Sequence, residues 1–120
     1  MLNSIRIYSY SRCATCRKAL AWLQQHQIAH DLFDIVETPP SREMLRGASK
    51  QLASRKLLFN TSGVSYRSLG ADAVKAMSDD EALDALSSDG KLIKRPFLIT
   101  ENGSVLVGFK PEIWAEALLP

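Results

Sequence analysis

The sequence predicts an α/β fold: a single domain with a mixed four-stranded sheet. Three observations predict it. An alternating run, Ile5-Arg6-Ile7-Tyr8, is followed by a helix-like run from Arg17 to His26 and then by Leu32-Phe33-Asp34-Ile35-Val36, which is a strand-helix-strand order. Near the other end, Phe97-Leu98-Ile99-Thr100 and Ser104-Val105-Leu106-Val107 flank Glu101-Asn102-Gly103, which is a hairpin pattern. Between these two blocks, residues of about 41–90 carry helical periodicity.

The elements follow in order. A helix between the first two strands requires a crossover, so those strands pair in parallel. Glu37-Thr38-Pro39-Pro40 reads as a turn and Ser41 as a helix N-cap. Met44, Leu45, Ala48, Leu52 and Leu57 then mark the buried face of a helix or helix pair reaching about Leu58, and Asn60-Thr61-Ser62-Gly63 breaks it. Ser78-Asp79-Asp80-Glu81 has capping-box spacing and opens a helix with Ala82, Leu83 and Leu86 inward, ending near Asp89-Gly90. In the hairpin, Asn102-Gly103 is expected to supply positive φ angles, and Pro111 fits the first turn of a last helix through Leu118. The sum is the order of a thioredoxin-like (glutaredoxin-like) fold with an inserted helical subdomain at about 41–90, over residues 1–120 as one domain. A ferredoxin-like arrangement is the alternative, but it leaves the cysteine pair described below without a purpose.

With 120 residues and 46% hydrophobic content the chain can bury a core without disulfide or metal staples. A net charge of +2 is too small to argue for a nucleic-acid footprint, so no direct nucleic acid is expected as a partner. The first residues, Met1-Leu2-Asn3-Ser4-Ile5-Arg6, lead directly into the strand pattern without signal-peptide features, and no apolar run suits a membrane span. A soluble cytoplasmic protein is expected, and in that reducing compartment a cysteine pair points to catalysis or redox sensing rather than a structural bridge.

The pair is Cys13-Ala14-Thr15-Cys16, and these are the chain's two cysteines. At a helix start the first sulfur gains anion stabilisation from unpaired backbone N–H groups, which makes Cys13 the candidate thiolate and Cys16 its resolving partner. A structural disulfide would close too short a loop to restrict the unfolded chain much. A zinc site lacks two further ligands, since His26 and His30 stand outside the usual spacing and are expected on the surface away from the pair; no metal is expected. Arg12, Arg17 and Lys18 flank the pair; Arg17 and Lys18 also fit a solvated helix face, and Arg12 could turn either toward sulfur or toward water. Lys94-Arg95-Pro96 lies before the third strand, where a proline suits a strand start. The polar group Asn60, Thr61, Ser62 and Ser65 with Tyr66 is read as a satisfied turn rather than a site.

Ser11-Arg12-Cys13-Ala14-Thr15-Cys16-Arg17-Lys18-Ala19, Pro39-Pro40-Ser41-Arg42, Leu58-Phe59-Asn60-Thr61-Ser62-Gly63, Tyr66-Arg67-Ser68-Leu69-Gly70 and Leu92-Ile93-Lys94-Arg95-Pro96, in this order, resemble the ArsC/Spx family. That family includes glutaredoxin-linked arsenate reductases and Spx/MgsR-type redox regulators that bind RNA polymerase. The resemblance spans essentially the whole chain. It implies a thioredoxin-like fold with inserted helices, Cys13 as nucleophile, Arg95 as an arginine beside the sulfur, and Pro96 as a cis proline next to it. The chain departs from the arsenate reductases in having Cys16, in carrying Phe59 after Leu57-Leu58 where their oxyanion pocket supplies an arginine, and in offering only Lys110 near Gly108-Phe109 where a further arginine is expected.

The expected function is thiol-disulfide chemistry of an arsenate reductase-like protein, with Cys13 attacking and Cys16 resolving, Arg95 and Pro96 on the substrate side, and no bound cofactor. Glutathione or a thioredoxin- or glutaredoxin-type redox partner protein would restore the dithiol. The alternative is a Spx/MgsR-type redox-sensing regulator whose partner is RNA polymerase.

Overall fold

A computed structural model describes residues 5–120; the expectation that the first four residues lead straight into a strand lies outside the described residues. The strands are β1 (Arg6–Ser9), β2 (Asp31–Asp34), β3 (Phe97–Ile99) and β4 (Val105–Val107). The helices are α1 (Ala14–Gln25), α2 (Arg42–Gln51), α3 (Val64–Leu69), α4 (Ala71–Ala76), α5 (Asp79–Ser88) and α6 (Pro111–Leu118), with 3-10 turns at Arg55–Leu58 and Gly90–Leu92. The sheet order is β2-β1-β3-β4, with β1 and β2 parallel and the other two pairs antiparallel. This is the mixed four-stranded sheet of a thioredoxin-like fold, with its extra helices between β2 and β3.

Alternation along the strands builds two cores. Ile7 and Leu98 face one side with Ala19 and Leu23 of α1 and Trp114 of α6. Tyr8 and Phe97 face the other, against Leu45 and Ala48 of α2, Leu83 and Leu86 of α5, and Val74 of α4. Side chains one residue apart on a strand point to opposite faces, so a single period-2 pattern supplies both layers.

Local chemistry explains most element ends. Ser41 Oγ accepts from the Met44 N–H at 3.1 Å, and Ser78 with Glu81 forms the complete capping box that opens α5. Strand β2 covers 31–34 rather than 32–36, because Asp34 Oδ1 accepts from the Val36 and Glu37 N–H groups and turns the chain. The hairpin also differs from expectation. Its strands close at Ile99 and Val105, and of Asn102 and Gly103 only Gly103 has positive φ, at 87°. A longer loop needs a single left-handed residue, unlike the two-residue turn. Gln51 at the end of α2 holds this loop, donating to the Gly103 carbonyl at 2.7 Å and accepting from the Val105 N–H at 3.0 Å.

The helical layer contains α3 and α4, which periodicity did not mark. Each has six residues, and Gly70, with φ of 89°, separates them. Segments that short offer too little repeat to read. Arg55 replaces that missing signal with a tertiary clamp: its guanidinium donates to Asp79 at 2.9 Å, to the Val74 carbonyl at 3.0 Å and to the Met77 carbonyl at 2.6 Å. A small antiparallel bridge, Phe59 with Ile93, joins this layer to the chain entering β3. The Lys94 N–H donates to the Leu58 carbonyl at 2.7 Å and the Asn60 N–H to the Leu92 carbonyl at 2.8 Å. Residues 92–94 are thereby fixed just before Arg95 and Pro96.

Candidate active site

Cys13 is the N-cap of α1, which starts at Ala14 rather than near Arg17. Its sulfur takes the place of the capping oxygen and accepts the Cys16 N–H at 3.2 Å. A thiolate there receives hydrogen bonds and the positive end of the helix dipole together. The Cys13 N–H donates to the Tyr10 carbonyl at 3.0 Å, which closes the turn leading from β1 into the helix.

The two sulfurs stand in opposite environments. Cys16 is fully buried and Cys13 is partly exposed, and both are free thiols. Burial pushes the Cys16 thiol up to about 11, helped by its hydrogen bond to Cys13 and opposed by the Tyr10 backbone and the Ser9 hydroxyl. Burial also acts to raise the Cys13 pKa, but hydrogen bonds from the Cys16 thiol and N–H, and the charge and hydrogen bond of Arg95, outweigh it and hold Cys13 below the ordinary value of 9.0. Of the two sulfurs, Cys13 is therefore the more acidic and Cys16 the one that holds its proton to higher pH.

These opposite shifts separate the reactivities of the two thiols by pH. Iodoacetamide at pH 7 is expected to label Cys13 selectively, with Cys16 becoming reactive only as pH approaches about 11. The signs for stability are also opposite. The depressed Cys13 pKa contributes stability that is present above the ordinary thiol value of 9.0 and lost as pH falls through its folded value. The raised Cys16 pKa contributes stability that is intact below 9.0 and lost as pH rises through about 11. Peptide mapping of the alkylated protein across pH checks the order; faster labelling of Cys16 at pH 7 would contradict it.

Arg95 lies beside this turn, and Pro96 follows it in the chain. The Arg95–Pro96 bond is cis and Pro96 is buried at the entrance to β3. The charge of Arg95 acts to lower the Cys13 pKa, its Nη1 donates to the Lys91 carbonyl at 3.3 Å, and its guanidinium carbon lies 4.9 Å from the centre of the Tyr10 ring. Neither Tyr10 nor Ser9 was singled out by sequence; Tyr10 comes two residues after a strand core residue and carries no motif, and Ser9 reads as a strand end.

The other flanking cations behave differently. Arg17 Nη1 donates to the Ser11 carbonyl at 2.8 Å, and Arg12 and Lys18 are exposed. His26 lies at the far end of α1 against Trp22, with ring centres 4.4 Å apart, and His30 bonds to the Ile28 carbonyl at 2.8 Å. Asn60 to Gly63 form a turn closed by the Gly63 N–H to the Asn60 carbonyl at 3.0 Å, and Tyr66 is buried behind it. Phe59 is 2% exposed and packs edge-on to Tyr66, so no guanidinium projects from that position. Phe109 packs against Trp114 at 4.9 Å, leaving Lys110 as the exposed neighbour. Among the described residues no group of three or more His, Cys, Asp or Glu is placed to hold a metal ion, and no helix is long and apolar enough to cross a membrane.

Comparison with known proteins places this geometry among relatives. A family profile described as the ArsC family matches residues 8–117. The chain is 44% identical to the uncharacterized protein YusI of Bacillus subtilis, over 94% of this chain and 97% of YusI. It is 29% identical to the regulatory protein MgsR of the same organism, over 92% of this chain and 87% of MgsR. The crystal structure of a possible arsenate reductase from Streptococcus mutans UA159 superposes with a TM-score of 0.84 at 40% identity, covering 89% of this chain and 92% of that one.

Proposed function

This chain belongs to the ArsC family, and on that premise we propose that it is a thiol-disulfide oxidoreductase in which Cys13 attacks and Cys16 resolves. The asymmetry of the two sulfurs supports this most directly: the partly exposed one caps the helix, accepts the Cys16 N–H and is the more acidic, while the other is fully buried one turn away. The Cys13 thiolate attacks one sulfur of a substrate disulfide, that S–S bond breaks, and the departing half leaves as thiolate with the electron pair. Cys16 then loses its proton to solvent or to that thiolate and attacks the Cys13 sulfur. The second half leaves, and the dithiol has given two electrons to become the Cys13–Cys16 disulfide. Two glutathione thiols, or one dithiol of a thioredoxin- or glutaredoxin-type protein, return the electrons. Arg95 and the first turn of α1 favour the thiolate, and Pro96 sets the surface beside it.

Arsenate is not the substrate of this proposal. Holding an oxyanion favours bidentate guanidinium forks, and Phe59 in the core with Lys110 in place of an arginine supplies neither. Equilibration against glutathione redox buffers, followed by alkylation and mass measurement, tests the pair. The expected result is a single two-electron step to an intramolecular disulfide within the cytosolic range, with multiple turnovers of hydroxyethyl disulfide when a reductant is present. No intramolecular disulfide at any ratio would overturn it.

The likeness to MgsR favours a second reading, a sensor in which the same oxidation alters a surface recognised by RNA polymerase. One stoichiometric oxidation that changes polymerase affinity, without turnover, would select it.

A further inference from the structure

We propose that Tyr10 is the positioning residue of this site: its ring and the Lys91 carbonyl hold the Arg95 guanidinium beside Cys13 with its charge uncancelled, so that the site favours disulfides carrying negative charge. The proposal rests on Cys13 being the attacking sulfur and names the substrate class for it. An arginine side chain has several free torsions, and holding it against one sulfur requires partners. A carboxylate would hold it but would also neutralise it. Among the described residues Arg95 has no carboxylate partner, whereas Arg42 and Arg55 are both paired with aspartates. Its contacts are the face of Tyr10, 4.9 Å from ring centre to guanidinium carbon, and one neutral carbonyl. A π face attracts the cation without carrying a negative charge.

Tyr10 is itself fixed to the reacting residue. Its carbonyl accepts the Cys13 N–H at 3.0 Å, so ring and sulfur belong to one turn, against which the Arg95 guanidinium is laid from the segment before β3. No acidic residue stands in the first turn of α1, although α2, α4 and α6 each carry one there and α5 carries three. An entering disulfide with carboxylates therefore meets a cation beside the nucleophile and no opposing acid from that helix turn. In the reaction Cys13 sulfur bonds to one substrate sulfur, the substrate S–S bond breaks, and the released thiolate takes the electron pair; its negative charge also develops next to Arg95.

The test is a double-substitution cycle on the full chain with Tyr10→Leu, Tyr10→Phe and Arg95→Gln. Iodoacetamide labelling of Cys13 at pH 6 is expected to slow about threefold in Tyr10→Leu, to remain unchanged in Tyr10→Phe, and to show no further loss when Tyr10→Leu is added to Arg95→Gln. Rates with dithiodipropionate and with cystamine, each divided by the rate of mercaptoethanol with the same disulfide, cancel the leaving-group difference. Their ratio is expected to favour the anionic disulfide by about tenfold at low salt and to fall about threefold in Tyr10→Leu. Equal normalised rates in the unsubstituted protein overturn the substrate class. An unchanged labelling rate in Tyr10→Leu, a slowing in Tyr10→Phe equal to that in Tyr10→Leu, or full additivity with Arg95→Gln overturns the positioning role. Labelling of Cys13 needs neither Cys16 nor turnover, so failure of the redox proposal shows itself separately, as absence of the Cys13–Cys16 disulfide.

Discussion

Cys16→Ser is expected to accumulate a stable mixed disulfide at Cys13, and Cys13→Ser to form none. The two side chains occupy one helix turn, and Cys16 is held within hydrogen-bonding range of the Cys13 sulfur. Intramolecular resolution benefits from high effective concentration, so removing Cys16 should slow release of the second substrate half by about a thousandfold or more. The first attack should continue, because Arg95 and the Cys16 backbone N–H remain to stabilise the Cys13 thiolate. Removing Cys13 leaves only a fully buried thiol whose pKa is pushed up to about 11, a poor nucleophile at pH 7. Incubation with a labelled disulfide and mass analysis of the intact protein distinguishes the variants. Equal trapping in both would sink the assigned roles.

Gly90→Ala is expected to destabilise the fold by about 3 kcal/mol, because overpacking here meets backbone rather than a movable side chain. A Cβ on Gly90 would overlap the Ile35 carbonyl oxygen and lie 3.0 Å from the Val36 Cα. Gly90 begins the turn that runs through Leu92 into the bridge at Ile93, directly before Arg95. A shift of the Gly90 turn that relieves the overlap is expected to move the guanidinium relative to Cys13. Slower Cys13 alkylation should accompany the lost stability. Gly47→Ala is the control: nothing lies within 4 Å of its Cβ position inside α2, so helix propensity should make it stabilising by about 0.5–1 kcal/mol. Urea midpoints measure both. A Gly90→Ala midpoint equal to that of the unsubstituted protein would contradict the close approach.

Pattern and spacing carried much of the architecture. Ile7 and Tyr8, or Phe97 and Leu98, alternate between two apolar cores, and that alternation is visible without any tertiary contact. Ser41 and the Ser78-Glu81 box mark helix starts because capping is a bond between residues three apart. Cys13 and Cys16 are brought together by the pitch of one helix turn, so their pairing is also local. Pro96 was placed at the entrance of a strand by its missing N–H, while its cis bond was expected only through family resemblance.

What the sequence by itself determined, then, is everything governed by separations of a few residues: strand alternation, caps, the cysteine turn and the strand-helix-strand order. Only the tertiary structure decided that Tyr10 faces Arg95, that Phe59 turns into the core, that residues 58–60 pair with 92–94, and that Arg55 ties the end of α4 to the start of α5. The physical reason is the range of the forces concerned. A cap or an alternating strand is fixed by covalent neighbours, whereas a guanidinium on a ring, or a glycine against a carbonyl, depends on segments far apart in the chain that meet only when the sheet and its two helical layers have closed.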